Sequence, residues 1–256
     1  MNGPMTGPAT GARATRKVRH HAERSGLGTV RHVSAATPNA PAWAVTVVVV
    51  LVFSVGPALV GNAELAAIGY LLPSFAAIAA VILWFLGSEK LVVLDHGILV
   101  GSFAPFLRPV AVPFTALDVR TVRAAVASPR TLGLLLTDRG VSTASRTVLW
   151  SRRAVTFVGV APNQLRQARA RGLHVDLATA TAVDLWVFSA RDPRRQEQVV
   201  RALGDAARAA GVPGAEQVEA LALPAQPVQV SPQGADRLAV PERLRSARAR
   251  HPQTTR

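Results

Sequence analysis

Six histidines, His20, His21, His32, His96, His174 and His251, are the side chains best suited to proton transfer or metal ligation. None lies in an H-E-x-x-H spacing, which would set two imidazoles on one helical face around zinc, and none has a carboxylate at ligand spacing. His96 falls in the turn signal Asp95-His96-Gly97, where a turn residue is a simpler reading than a general base. Cysteine is absent, which excludes disulfides, thiolate metal sites and cysteine nucleophiles. There is no P-loop lysine motif and no G-x-S-x-G. Gly26-Leu27-Gly28 has no strand signal before it, so it does not make a dinucleotide fingerprint. Asp118 and Asp138 could form an acid pair only if the fold joined them, and no spacing does so. No catalytic residue, cofactor or metal is assigned.

Arginine carries the remaining chemistry. Lys and Arg number 29 against 15 acidic residues, a formal net charge of +14, and lysine occurs only at 17 and 90. A guanidinium binds phosphate oxygens bidentately, so it suits lipid headgroups and nucleic acid alike. Arg120, Arg123, Arg130, Arg139, Arg146, Arg152, Arg153 and Arg166 crowd the middle of the chain. Arg120, Arg123, Arg152 and Arg153 are the candidate anion-binding residues. The general alternative is diffuse attraction to an anionic leaflet, about 1 kcal/mol per basic residue near the surface. Arg194, Arg201 and Arg208 recur every seven residues, with Glu197 and Asp205 flanking Arg201. An anion stripe and a solvated face with i,i+4 ion pairs both fit that spacing.

These residues need a scaffold, and the charge pattern supplies its base. No Asp, Glu, Lys or Arg lies between Arg31 and Glu64, or between Glu64 and Glu89. Two apolar runs, about 43–60 and 65–86, each approach the roughly 20 residues that span a bilayer core. The four residues from Gly61 to Glu64 join them, so 41–88 is expected to be a transmembrane helical hairpin. An isolated strand at Val45–Val52 could not satisfy its backbone in lipid. Gly69, Pro73, Ala76 and Ala80 form a small-residue stripe that suits either a dimer face or packing against the first helix. Basic residues precede and follow the hairpin and none lies in its loop. Both termini are therefore expected in the cytoplasm, with the chain multi-pass in the inner (plasma) membrane. A signal peptide cleaved near Gly61-Asn62-Ala63 is the rival reading.

Residues 1–40 and 213–256 show no apolar period and read as disordered tails, separable from the fold. That leaves 89–212 for one cytosolic domain. Lys90–Leu94 and Ile98–Phe103 flank the turn at 95–97 as a hairpin. Leu117–Val122, Leu132–Thr137, Arg146–Trp150, Ala154–Val160 and Val183–Ser189 are further strand signals. Asp192 as N-cap, Pro193 at the first position and the apolar face Val199, Val200, Leu203, Ala206, Ala207 and Ala210 predict a closing helix that Gly211 stops.

The segments EKLVVLDHGILVGSF, VPFTALDVRTV and LWVFSARDPRRQEQVVRAL resemble bacterial membrane-anchored proteins with a pleckstrin-homology-like (PH-like) domain, of the small two-helix actinobacterial type. The resemblance covers about 89–125 and 183–211, and residues 126–182 match it poorly. It implies an α+β membrane protein, in which a transmembrane hairpin precedes a curved antiparallel β-sheet or barrel with a C-terminal helix. It implies no ligand. The expected function is non-enzymatic: the domain binds a protein partner or an anionic lipid surface. The rivals are a membrane-tethered nucleic-acid binder, which lacks any base-reading motif, and an accessory subunit of a membrane enzyme or transporter. If the first strand stands on the bilayer, the second returns to it. The following loop then offers Phe103, Phe106, Leu107 and Arg108 as candidate membrane-interface residues. Phe106 and Leu107 packing on the domain's own core is the competing expectation.

Overall fold

The computed structural model describes residues 14–35, 37–59, 65–133, 141–143 and 150–250. The chain is a mixed α+β protein with two long apolar helices. Helix α1 (Arg16–Ser25) and strand β1 (Val30–Ala35) come first, followed by the apolar helices α2 (Ala40–Leu59) and α3 (Leu65–Leu86). Both are long and apolar enough to cross a membrane, with hydropathy 2.0 over Ala40–Pro57 and over Ile68–Leu86, and neither is covered by the rest of the molecule. They pack on each other, Phe53 meeting Phe75 with ring centroids 5.8 Å apart. The small-residue stripe does not lie at that contact. Gly69, Pro73, Ala76 and Ala80 are exposed, whereas Ile68, Leu71, Phe75, Ala79, Leu83 and Leu86 are half-buried.

Strands β2 (Glu89–Leu94), β3 (Gly97–Ser102) and β4 (Val110–Pro113) join β1 in an antiparallel sheet of order β1-β2-β3-β4. A second, mixed sheet has the order β6-β8-β7-β5-β9, from β5 (Leu117–Val126), β6 (Val141–Thr143), β7 (Arg153–Val160), β8 (Val183–Ser189) and β9 (Gln226–Pro227). The helices between and after these strands are α4 (Pro129–Thr131), α5 (Pro162–Ala170), α6 (Pro193–Ala209), α7 (Val218–Ala222), α8 (Pro232–Arg237) and α9 (Ala247–Arg250).

Side chains alternate across a strand, so each sheet presents two faces. Leu91, Val93, Ile98 and Val100 of the first sheet meet Val119, Phe157, Trp186 and Phe188 of the second, and α6 closes this core with Val199, Val200 and Leu203. Phe157 and Trp186 stack with centroids 5.9 Å apart. The Trp186 indole N–H donates to the Val160 carbonyl at 3.3 Å. Asp192 caps α6 by accepting from the Arg195 N–H at 2.8 Å. The buried Gln196 amide donates to the carbonyls of Ala125 and Ala154, tying α6 to β5 and β7.

The two terminal segments are not separable tails. Val18 and Ala22 of α1, with Val33 of β1, bury Val92, Leu94, Leu99 and Phe103 on the outer face of the first sheet. Thr15 caps α1 and Gly26, at φ 71°, ends it. Asp95 fastens this cover: its carboxylate accepts from the Thr29 hydroxyl at 2.7 Å and from Arg31 Nε at 2.6 Å, as well as from the Thr29 N–H. At the other end of the chain, Val228, Leu238, Val240 and Ala249 cover Ala154, Val158, Leu185 and Val187 on the outer face of the second sheet. The expectation of disorder at 1–40 and 213–256 is corrected for the described parts of both. A few apolar side chains without helical or strand period suffice to cover a sheet face that already exists.

Leu132 follows the short helix α4 in helical conformation rather than opening a strand. Residues 134–137 of the strand expected over 132–137, and 146–149 of the next one, lie outside the described residues, as do Arg139, Arg146, Asp138 and His251.

Candidate functional site

The sheet end from which α2 and α3 depart, here called the base, carries the chemistry. β1 ends there at Ala35, which pairs with Lys90, and β2 begins there at Glu89, which pairs with Ser102. The loop after β3 is fastened to Ser88, in the turn between α3 and β2. The Phe103 N–H donates to the Ser88 carbonyl at 3.0 Å, and the Ser88 and Ser102 hydroxyls lie 2.9 Å apart.

The four candidate interface residues divide. Phe103 is only 4% exposed and packs beneath α1, so its place at an interface is corrected. Its ring meets His21 edge-on at 5.5 Å, and Lys90 Nζ lies 5.8 Å from the ring centroid. Phe106, Leu107 and Arg108 are exposed, so Phe106 and Leu107 do not pack on the domain's own core. Phe106 has φ 68°, the left-handed region in which a side chain clashes with its own backbone.

The four candidate anion-binding arginines are not one site. Arg120 lies against Gly214, where a Cβ would come within 2.7 Å of its Nε. The Arg123 guanidinium is spent on the carbonyls of Arg120 and Val122, at 2.7 and 2.8 Å. Burial pushes its pKa down, opposed by Asp118. Val126 pairs with Arg153, so Arg153 is three residues further along the sheet than Arg123, about 10 Å at strand rise. Arg152 is exposed. These last two belong to a second basic corner at the base. There the Ser151 hydroxyl donates to the Ala190 carbonyl at 2.7 Å. Arg191 and Arg195 each reach the hydroxyl of Thr37, just before α2, at 3.5 Å. Trp150 at this corner is 76% exposed, with φ 56°.

The arginines spaced by sevens on α6 are occupied in part by ion pairs. Arg201 pairs with Glu197 at 3.7 Å, and Arg208 with Asp205 at 2.9 Å and Glu219 at 3.4 Å. The solvated face, not an anion stripe, describes Arg201 and Arg208.

A different set converges. α1, the loop after β3 and α5 enclose a cleft of about 480 Å³ that exposes His21, Arg24, Arg108, Arg166 and Arg169. Leu99, Pro109 and Ala170 also line it. The Arg169 guanidinium donates to the Arg24 carbonyl at 2.6 Å and ties α5 to α1. Burial lowers the His21 pKa, and Lys17, His20, Arg24 and Arg108 lower it further. Burial also lowers that of Lys90, with Lys17 adding to it. Sequence reasoning named Arg108 and Arg166 but missed this assembly, because its members come from distant parts of the chain, Arg24 and Arg169 lying 145 residues apart.

Among the described residues, no group of three or more His, Asp or Glu could hold a metal ion. Compared with protein-family models, with curated proteins and with solved structures, the chain matches none.

Proposed function

We propose that this chain is a non-enzymatic, two-span inner (plasma) membrane protein with both termini in the cytoplasm, whose PH-like domain holds its basic base against anionic lipid. One observation carries the reading. The loop after β3 is hydrogen-bonded to Ser88, two residues past the end of α3, so Phe106, Leu107 and Arg108 lie near where that helix would leave the bilayer. Apolar tips beside a guanidinium fit the headgroup boundary, where rings enter and cations meet phosphate. The Trp150 corner, with Arg152 and Arg191, repeats the combination beside the start of α2. Two packed sheets closed by α6 are compatible with the PH-like reading. The N-terminal basic residues and those beyond α3 support the orientation by the positive-inside rule.

Hydrogen exchange of the full chain in nanodiscs tests this. The amides of Ala104, Phe106, Leu107 and Arg108 are expected to slow when phosphatidylglycerol is added to phosphatidylcholine, while the turn at 95–97 is unaffected. Equal exchange in both lipids would refute the docking. A reporter active only in the periplasm, fused after Arg256, should stay silent. Activity there would overturn the orientation.

A further inference from the structure

We infer that the cleft between α1, the loop after β3 and α5 is a binding site for a multiply charged phosphate group, taken by Arg24, Arg108, Arg166 and Arg169 with His21. Guanidinium groups from three separate segments face one cavity, and among the described residues no carboxylate lines it. Arg31, Arg195, Arg201, Arg208 and Arg245 each pair with an aspartate or glutamate, whereas Arg152, Arg153 and Arg191 have no such pair among the described residues, so it is the convergence that sets the cleft apart. None of the four cleft arginines has such a pair among the described residues. Glu23 is exposed on α1, and Asp184 lines a second hollow together with Arg166.

Converging like charges repel, and that repulsion costs stability unless an anion from outside offsets it. Phosphate matches the donor set, because planar guanidinium forks bind its oxygens in pairs. The volume lies within the ordinary range for small-ligand sites, roughly 300–1,000 Å³. The walls are also held in place: Val18 and Ala22 anchor α1 on the sheet, Leu165 and Ala168 bury the inner side of α5, and the Arg169 to Arg24 bond closes the back. A headgroup phosphomonoester could enter beside Arg108, and a soluble phosphorylated compound could enter from the aqueous side. The lipid source rests on the bilayer-facing reading above; the phosphate chemistry does not.

The full chain in nanodiscs separates these. One arm titrates inorganic pyrophosphate into phosphatidylcholine discs. The other places phosphatidic acid in the discs without soluble phosphate. The imidazole resonances of His21 report on the cleft in both. A saturable shift is expected in at least one arm. Arg166→Gln with Arg169→Gln should weaken it about tenfold or more, as loss of two charge-assisted contacts implies. Arg201→Gln with Arg208→Gln removes the same charge on the solvated face of α6 and should leave it unchanged. Thermal melting shows whether each double variant is folded. If the cleft double variant unfolds, Arg108→Gln on the exposed loop replaces it and should weaken the shift likewise. A response to pyrophosphate assigns a soluble source, and a response to phosphatidic acid alone assigns the lipid. Silence of His21 in both arms, or equal weakening by both double variants, would overturn the site. Lipid-dependent protection of 104–108 with a silent His21 would keep the bilayer reading and discard the cleft; the reverse would keep the cleft alone.

Discussion

Removing the Asp95 carboxylate should release the N-terminal cover from the first sheet. In Asp95→Ala, the Thr29 N–H, the Thr29 hydroxyl and Arg31 Nε lose one shared acceptor. A hydrogen bond to a charged group contributes about 1.5–3 kcal/mol when well buried. The Arg31 and Asp95 side chains are 38% and 23% exposed, and exposed ion pairs contribute only about 0–1 kcal/mol. A total of about 2–3 kcal/mol is therefore expected rather than the full sum. Hydrogen exchange over Val30–Ala35 measures this locally, because β1 opens with its own free energy. The rates should rise about 30- to 150-fold, at about 1.4 kcal/mol per tenfold, while β7 and β8 change little. The pH dependence follows the same group. Burial would raise the Asp95 pKa, but the hydrogen bonds from Thr29 and Arg31 outweigh it and hold the carboxyl below its ordinary value. Its stabilisation is thus complete above about pH 4, the unfolded-state value, and is lost as pH falls through the lower folded value. Unchanged exchange in Asp95→Ala would refute the reading of residues 14–35 as a fastened cover.

Deleting residues 1–35 should broaden or abolish the thermal transition of the domain, since Val92, Leu94, Leu99 and Phe103 lose their cover; an unaltered melting curve would contradict this. Gln196→Ala should cost about 2–3 kcal/mol by chemical denaturation, because two buried carbonyls lose their donor. Phe106→Gly removes the left-handed strain but frees the unfolded chain. Melting in detergent should therefore be unchanged or improved by up to about 1 kcal/mol, while exchange protection of the loop by anionic lipid falls. The lowered His21 pKa means that the unfolded state binds more protons just below about pH 6.5. Stability without phosphate should accordingly decline as pH falls through that window, towards the lower folded value. Saturating pyrophosphate should reduce the decline, because an anion offsets Lys17, His20, Arg24 and Arg108 around the imidazole.

Much of the frame was legible because its signals are local. The charge-free runs place the apolar helices near the observed Ala40–Leu59 and Leu65–Leu86. The turn at 95–97 places β2 and β3, and the Asp192-Pro193 start places α6. The covers were not legible for the opposite reason. α1 reads RKVRHHAERS and buries only Val18 and Ala22, too few to show a period, and the partner of β1 is about sixty residues away. The clue lay in the partners. LVVL in β2 and VDLWVFS in β8 are apolar on both faces, so something had to cover the second face. The cleft was hidden in the same way. Arg108 and Arg166 gain meaning only when α1 brings Arg24 and His21 beside them, and no sequence spacing records that approach.

The most direct test of the central claim is the depth of residue 106. A spin label there, with a second at exposed residue 96 at the far end of the β2–β3 hairpin, is measured in the full chain in liposomes containing anionic lipid. If the base faces the bilayer, the label at 106 is shielded from a water-soluble relaxation agent and relaxed by oxygen dissolved in the lipid, while the label at 96 behaves as fully aqueous. Equal accessibility of both labels to the water-soluble agent would contradict the account.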